Sequence, residues 1–343
     1  MGRKATAEAP SNLAFVKYWG KKDAALRIPA NNSISVNLSN AKTITSVEFD
    51  AGFDQDTLVV ENSRNPPVPE FSIRVYQHLD RIRSVAGINN KAIVHTKNTF
   101  PSGVGIASSA SGFAALTVAG CAALGLDLSK KELSELARLA SGSACRSIPG
   151  GFAEWIVADK ENRSYSIQLA APEQWEINIV SIVVSTQPKK ISSTDGHSLA
   201  PSSPFFNARL DGISKRLDSV RSAILNKDFQ TLGRETELEA ISFHTIAMTS
   251  PIHMEKGWSS GAYYWLPESL ELMLAVQEWR RDGLEVYFTL DAGPTVHIMC
   301  LNDNLERLIS AIHKVERNRP GRSWRLLINS PAGGAQIVDD GAI

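Results

Sequence analysis

The chain has 343 residues, 43% apolar and 21% charged, with 36 Lys plus Arg set against 36 Asp plus Glu. That length predicts two domains, and the composition is that of a globular protein rather than a disordered one. A zero net charge offers no overall field for nucleic acid or an anionic membrane, so any anionic ligand has to be gripped by a local site.

Cys121, Cys145 and Cys300 form neither a disulfide framework nor a zinc spacing, which fits a reducing compartment and a cytoplasmic protein. Met1 to Pro10 lacks an apolar signal core. Ser111 to Leu128, interrupted by Gly112, Gly120, Gly125 and Asp127, reads as a buried helix rather than a membrane span.

In chain order, alternation predicts strands at Ile34 to Leu38, Lys42 to Phe49 and Asp56 to Val60. Asn62 to Pro69 reads as a loop, Phe71 to Ala86 has helical spacing, and Ala92 to Thr96 reads as a strand. The Gly/Ser-rich turn Pro101 to Gly112 leads into a small-residue helix ending near Leu124. A capping box, Ser129 with Glu132, then starts another helix. Strands are expected at Phe152 to Val157, Ser164 to Gln168 and Ile177 to Val184. A second domain is expected to begin at Pro188, with a Ser/Thr/Pro-rich loop to Pro204. Helices follow at Phe206 to Leu225, Phe229 to Met248 and Pro267 to Gly283. Strands at Val286 to Leu290 and Val296 to Cys300, a helix at Leu305 to Glu316 and a strand at Trp324 to Ile328 complete it. The pattern favours an α+β architecture in each half, divided as 1–187 and 188–343.

The turn Pro101-Ser-Gly-Val-Gly-Ile-Ala-Ser-Ser-Ala-Ser-Gly112 can bring backbone amides and a helix N-terminus to a polyphosphate, and Ser108 and Ser109 can add hydroxyls to phosphate or Mg²⁺. Taken alone, it reads first as a tight strand-to-helix turn with small residues for packing. It is neither a Walker A loop nor a dinucleotide fingerprint.

In company the turn becomes specific. Pro-x-x-x-Gly-Ile-x-Ser-Ser-Ala resembles the ATP loop of the galactokinase, homoserine kinase, mevalonate kinase and phosphomevalonate kinase superfamily. Three further blocks, APSNLAFVKYWGKKDAALRIPANNSISVNL from Ala9, SGSACRSIPGGFAEW from Ser141 and YFTLDAGP from Tyr287, resemble diphosphomevalonate decarboxylases, in that family's order. The resemblance implies a small-molecule kinase fold, with an N-terminal ribosomal-protein-S5-like domain and a C-terminal ferredoxin-like α+β domain. It further implies ATP and Mg²⁺, a phosphorylated mevalonate as substrate, and a homodimer.

The chemistry so implied is phosphorylation of a tertiary 3-hydroxyl, followed by loss of phosphate and CO₂. It needs a carboxylate at the hydroxyl, a cation for the C1 carboxylate, a phosphate cradle and grips for the 5-phosphate. By resemblance Asp291 is the catalytic carboxylate, although its Asp-Ala-Gly-Pro context alone suits a turn cap. Arg146, set among small residues, is implied to hold the C1 carboxylate; a structural ion pair is its alternative. Lys17 is implied as a charge beside Asp291, and Asn12 as a polar contact near the reacting carbons.

Tyr18 and Lys21 are implied at the 5-phosphate, Ser141 and Ser143 at substrate oxygens, and Gly150-Gly151 at the floor of the site. If Ala14 to Tyr18 were a strand, Lys17 would face away from Ala14, Val16 and Tyr18. Pro101, Gly103, Gly105, Ala107, Ser108 and Ser109 form the implied ATP loop, with Ser108 also reaching Mg²⁺. Ser192 and Ser193 are either 5-phosphate donors or a plain Ser/Thr turn.

Two departures stand out. His197 occupies a position where the family usually has Met, next to Asp195, and Ser250 to Trp265 replaces a short Pro-Pro segment. Both bear on whether a 5-monophosphate or a 5-diphosphate is bound. A mevalonate 3-kinase that stops after phosphorylation is the alternative activity.

Overall fold

The computed structural model describes residues 3–61, 69–100, 106–158, 163–187, 190–253, 257–318 and 323–343. Two sheets organise it. In the first, Arg3–Val16 pairs antiparallel with the long strand Ser33–Asp50, which continues to Lys91–Asn98 and, parallel to that, Thr57–Val60. Two hydrophobic stretches expected as separate strands, around Ile34 and around Val47, are thus one 18-residue strand. Its first half also pairs with Phe152–Ile156, which in turn pairs with Tyr165–Ala170. Alternation read from sequence breaks at Ser39 and Asn40 because those residues bond to Ser330, Asn329 and Ile328.

The helices Pro69–Ala86, Ser108–Ala123 and Lys130–Ala140 cover this sheet through Leu79, Ile82, Phe113, Leu116 and Ala137, packed on Val47, Phe49 and Val94. The middle helix is buried nearly all round, as its run of small residues anticipates. The capping box forms as expected, Ser129 Oγ accepting from Glu132 N–H and Glu132 Oε2 accepting from Ser129 N–H.

The second sheet is antiparallel, in the order Val286–Thr289, Val296–Cys300, Asn178–Val183, Arg325–Asn329. Asn178–Val183 therefore sits inside it, bonded to both neighbours, and not with the first half of the chain as a division after residue 187 would have it. Near the other end, Gln336–Val338 returns to pair with Thr6 to Glu8 in the first sheet. The helices Phe206–Asn226, Phe229–Thr249, Pro267–Arg281 and Leu305–Arg317 complete this half. The architecture is α+β, and the cluster of Leu13, Phe15, Val36, Phe152, Ile179, Leu217, Phe229 and Tyr287 joins the two sheets in one core.

The expected Ser/Thr/Pro-rich loop contains a helix, Ser193–Leu199, capped by Ser192. The segment that follows Ser250 holds a small hairpin, Ile252–His253 with Trp258–Ser259. Among the described residues no helix is long and apolar enough to cross a membrane. The three cysteines are free and buried.

Candidate active site

A cleft lies where the end of the first strand, the short 3-10 helix Gly142–Ser147, the helix Ser193–Leu199 and the turn after Val286–Thr289 meet. Its described lining carries five cations, Lys17, Lys21, Arg27, Arg74 and Arg146, against one carboxylate, Asp291. Lys17 and Arg146 are buried and the other three half-buried, and such an excess of positive charge is costly unless an anion joins it.

The strand Arg3–Val16 ends one residue before Lys17, after a register shift between Ala14 and Val16. The shift defeats simple alternation: Ala14, Lys17 and Tyr18 all face the cleft. Lys17 is 3% exposed. Its Nζ donates to Asp291 Oδ1 at 2.7 Å and to the Ala14 carbonyl at 2.6 Å. Burial depresses the Lys17 ammonium, and the Asp291 carboxylate offsets part of that. Asp291 itself is partly open to the cleft, with 22% of its side chain exposed.

Arg146 is buried, and its three nitrogens donate to Ser35 Oγ (3.0 Å), Ser33 Oγ (2.7 Å) and Asn12 Oδ1 (3.0 Å). Among the described residues no carboxylate forms an ion pair with it, so the structural ion pair considered from sequence is not made. Burial lowers its pKa, against the pull of Cys145 and Asp291. Asn12 lies outside the cleft lining, where Nδ2 donates to Ser143 O and Ser147 Oγ while Oδ1 receives Arg146. Asn12 is thereby held directly against the guanidinium.

Ser141, Gly142 and Ser143 line the cleft. Gly142 is required by contact: a Cβ there would come within 2.8 Å of the Tyr18 ring and 3.0 Å of Trp155. Gly150 and Gly151 do not line it; a Cβ on Gly151 would strike the Ala170 carbonyl at 2.2 Å, so that glycine serves backbone packing.

At the far end Tyr18 lies between the rings of Trp155 (4.6 Å) and His197 (4.0 Å), and burial raises its phenol. His197 is held between Tyr18 and Trp19, and its Nδ1 accepts the Gly20 amide at 3.1 Å. Burial, then Lys21 and Arg27, push its pKa well below the ordinary value, so the ring is neutral with its proton on Nε2. Ser193, Thr194 and His197 line the cleft, whereas Ser192 is spent on Asp195, donating to Oδ2 at 2.7 Å and accepting its N–H. Tyr264, from beyond the small hairpin, donates to the Ser192 carbonyl and braces this helix.

Sequence reasoning missed Arg27 and Arg74. Arg27 sits in left-handed backbone at φ 51°, its Nε bonded to Leu139 O. Arg74 lies over the Phe113 ring, with Nη2 on Ala140 O and a buried Nε without a partner. Burial and Arg27 bring Arg74 down to about 10, and burial, Arg27 and Arg74 lower Lys21. In sequence the former is a turn residue and the latter one of several arginines on an amphipathic helix; only folding brings them to Lys21.

Of the expected ATP loop, Pro101, Gly103 and Gly105 lie outside the described residues, as does 62–68. Ala107, at φ 39°, precedes the helix that starts at Ser108, and no side chain caps that start. Ala107 and Ser109 line the cleft, with Ser109 Oγ 3.4 Å from Ser141 Oγ; Ser108 occupies the first helical position outside the lining. An uncapped N-terminus of a 16-residue helix opening on a cationic cleft fits a phosphate group.

Two family models match: the diphosphomevalonate decarboxylase-like N-terminal domain over residues 9–166, and the mevalonate 5-diphosphate decarboxylase C-terminal domain over 179–325. Diphosphomevalonate decarboxylase of Saccharomyces cerevisiae is 32% identical over 335 residues, covering 92% of this chain and 83% of that one. Phosphomevalonate decarboxylase of Haloferax volcanii is 31% identical, covering 90% and 92%. The crystal structure of the Staphylococcus aureus mevalonate diphosphate decarboxylase aligns with a TM-score of 0.88 at 34% identity over 99% of both chains. Another solved structure, with a TM-score of 0.87 at 33% identity over 99% and 100%, is a complex with MVAPP, AMPPCP and magnesium.

Proposed function

Since the chain belongs to the diphosphomevalonate decarboxylase family, we propose that it catalyses ATP-dependent decarboxylation of a mevalonate carrying a 5-phosphate or 5-diphosphate, and that Asp291, Lys17 and Arg146 are its central residues. One observation carries the assignment: Asp291, paired with Lys17, and Arg146, without a carboxylate partner, line a single cleft. ATP with Mg²⁺ supplies the phosphoryl group, cradled by the start of the Ser108–Ala123 helix, where Ser109, in the cleft lining, would face the phosphates and Ser108, at the first helical position, would reach toward the metal.

Asp291 orients the tertiary 3-hydroxyl and takes its proton as the oxygen is phosphorylated. Lys17 fixes that carboxylate by its 2.7 Å contact. Arg146 clasps the C1 carboxylate with its planar fork, Asn12 holding the guanidinium from behind. When phosphate departs from C3 with the C–O electron pair, the C1–C2 bond breaks, its electrons form the C2=C3 double bond, and C1 leaves as CO₂. Lys21, Arg27 and Arg74, with Tyr18, Ser193 and His197, face the 5-phosphate end; the product is isopentenyl phosphate or diphosphate. Three free cysteines suit a cytoplasmic site of action.

The test is turnover with ATP, Mg²⁺ and each phosphorylated mevalonate in parallel, comparing kcat/KM. ADP with an alkene product from at least one substrate is expected. A stable 3-phosphorylated product would instead indicate a kinase, and no turnover of either would refute the reading.

A further inference from the structure

The main chain at Lys17 has left its sheet, so its amide and carbonyl cannot be satisfied by a strand partner. Both are met by a buried ion pair from the other half of the chain. Glu239 Oε1 accepts the Lys17 N–H at 3.1 Å, and Arg209 Nη2 donates to the Lys17 carbonyl at 3.0 Å. Arg209 Nη2 also bonds Glu239 Oε1 directly, and the two side chains are 1% and 0% exposed. Asn31 closes the ring: its Nδ2 donates to the same carbonyl at 3.0 Å while its Oδ1 accepts from Arg209 Nη1 at 3.2 Å.

A fully buried guanidinium–carboxylate pair contributes little net stability compared with apolar residues of the same shape, because desolvation offsets the attraction. Here the pair's hydrogen bonds converge on the main chain of one residue, the lysine whose Nζ touches Asp291. We propose that Arg209 and Glu239 are positioning residues for the reaction: they fix the backbone of Lys17 and so set where its ammonium meets Asp291. The inference rests on the decarboxylase reading. Arg209 comes from the helix Phe206–Asn226 and Glu239 from Phe229–Thr249, so packing of these two helices is coupled to the catalytic geometry.

The experiment is the double variant Arg209→Met/Glu239→Leu, which removes both holders without stranding a charge; Arg216, bonded to Glu239 Oε2, keeps Glu235. A displacement of about 1 Å at a reacting group costs on the order of 100-fold. The expected result is a single-turnover phosphoryl-transfer rate down by about that factor, with KM for both substrates and Tm near wild type. Unchanged kcat would overturn the inference, as would a kcat loss matched by raised KM and a collapsed Tm, which assigns the pair to folding. If the double variant does not fold, Asn31→Ala decides: it removes one of two donors to the Lys17 carbonyl without altering charge. It should lower kcat several-fold at constant KM, and wild-type kcat would overturn the proposal. A wild-type enzyme without turnover on any phosphorylated mevalonate defeats the functional reading instead, so the two failures are distinguishable.

Discussion

Truncating Arg146 to alanine puts the substrate-binding half of the mechanism at risk. The side chain is 4% exposed, its three hydrogen bonds go to neutral oxygens, and no described carboxylate forms an ion pair with it. On the proposed reading this buried charge meets the C1 carboxylate of the substrate. Losing one partner of such a desolvated pair costs about 2–5 kcal/mol, or roughly 30- to 4000-fold in kcat/KM at about 1.4 kcal/mol per decade. Ligand-linked stability gives an independent reading. Substrate at 100 times its Kd stabilises the wild type by about 2.7 kcal/mol; a 30-fold weaker Kd leaves only about 0.9 kcal/mol at the same concentration. Steady-state CO₂ release and the substrate-induced Tm shift measure the two effects. An Arg146→Ala protein that folds, keeps its Tm shift and loses less than about threefold in kcat/KM, under 1 kcal/mol, would refute the assignment.

Asp291→Asn should abolish phosphoryl transfer while ATP affinity, measured by nucleotide titration, stays near wild type; retained turnover would remove Asp291 from the mechanism. Gly196→Ala places a Cβ 2.5 Å from the Trp19 ring and the Tyr264 hydroxyl, an overpacking worth about 1–3 kcal/mol. The change should displace the helix bearing Ser193, Thr194 and His197 and raise KM for the phosphorylated substrate, whereas an unchanged KM would show that this helix does not grip it. His78 is buried, bonded to Thr117, and held by desolvation at about 3 against an ordinary 6.5. Between those values the unfolded chain binds a proton that the folded chain does not, so stability present at neutral pH is lost as pH falls. The loss on going from pH 7 to pH 5 is about 2 kcal/mol from this residue. Denaturant titrations of His78→Phe should show that much less acid sensitivity, and an identical slope would contradict the burial argument.

Most elements were legible from periodicity. Helices such as Phe206–Asn226 and Phe229–Thr249 announce themselves by apolar spacing, and Ser129 with Glu132 marks its helix start. What failed was membership. An apolar run such as Asn178–Val183 is the same string whichever sheet receives it, and Gln336–Val338 is too short to carry a period. Alternation does not reach Lys17, because the strand ends at Val16 after a register shift and the chain then turns into the cleft.

The site divides along similar lines. Asp291 and Lys17, 274 positions apart, were paired only through the resemblance of whole blocks to a family, and the structure puts them in contact. Ser192 offered the same hydroxyl as Ser193, yet a helix cap consumes one and leaves the other in the cleft. Arg27 and Arg74 carried no local signal at all, since a cation's meaning depends on which other cations share its pocket. The Arg209–Glu239 support of Lys17 was equally hidden, because its energetics come from burial that sequence does not state.

The central claim is that one cleft transfers phosphate and expels the C1 carboxylate in the same turnover. Supplying phosphorylated mevalonate labelled at C1 and counting labelled CO₂ against ADP in the same sample tests it directly. The account predicts a ratio of one for the wild type and loss of both signals in Asp291→Asn. Steady ADP formation without labelled CO₂, or labelled CO₂ undiminished in Asp291→Asn, would contradict it.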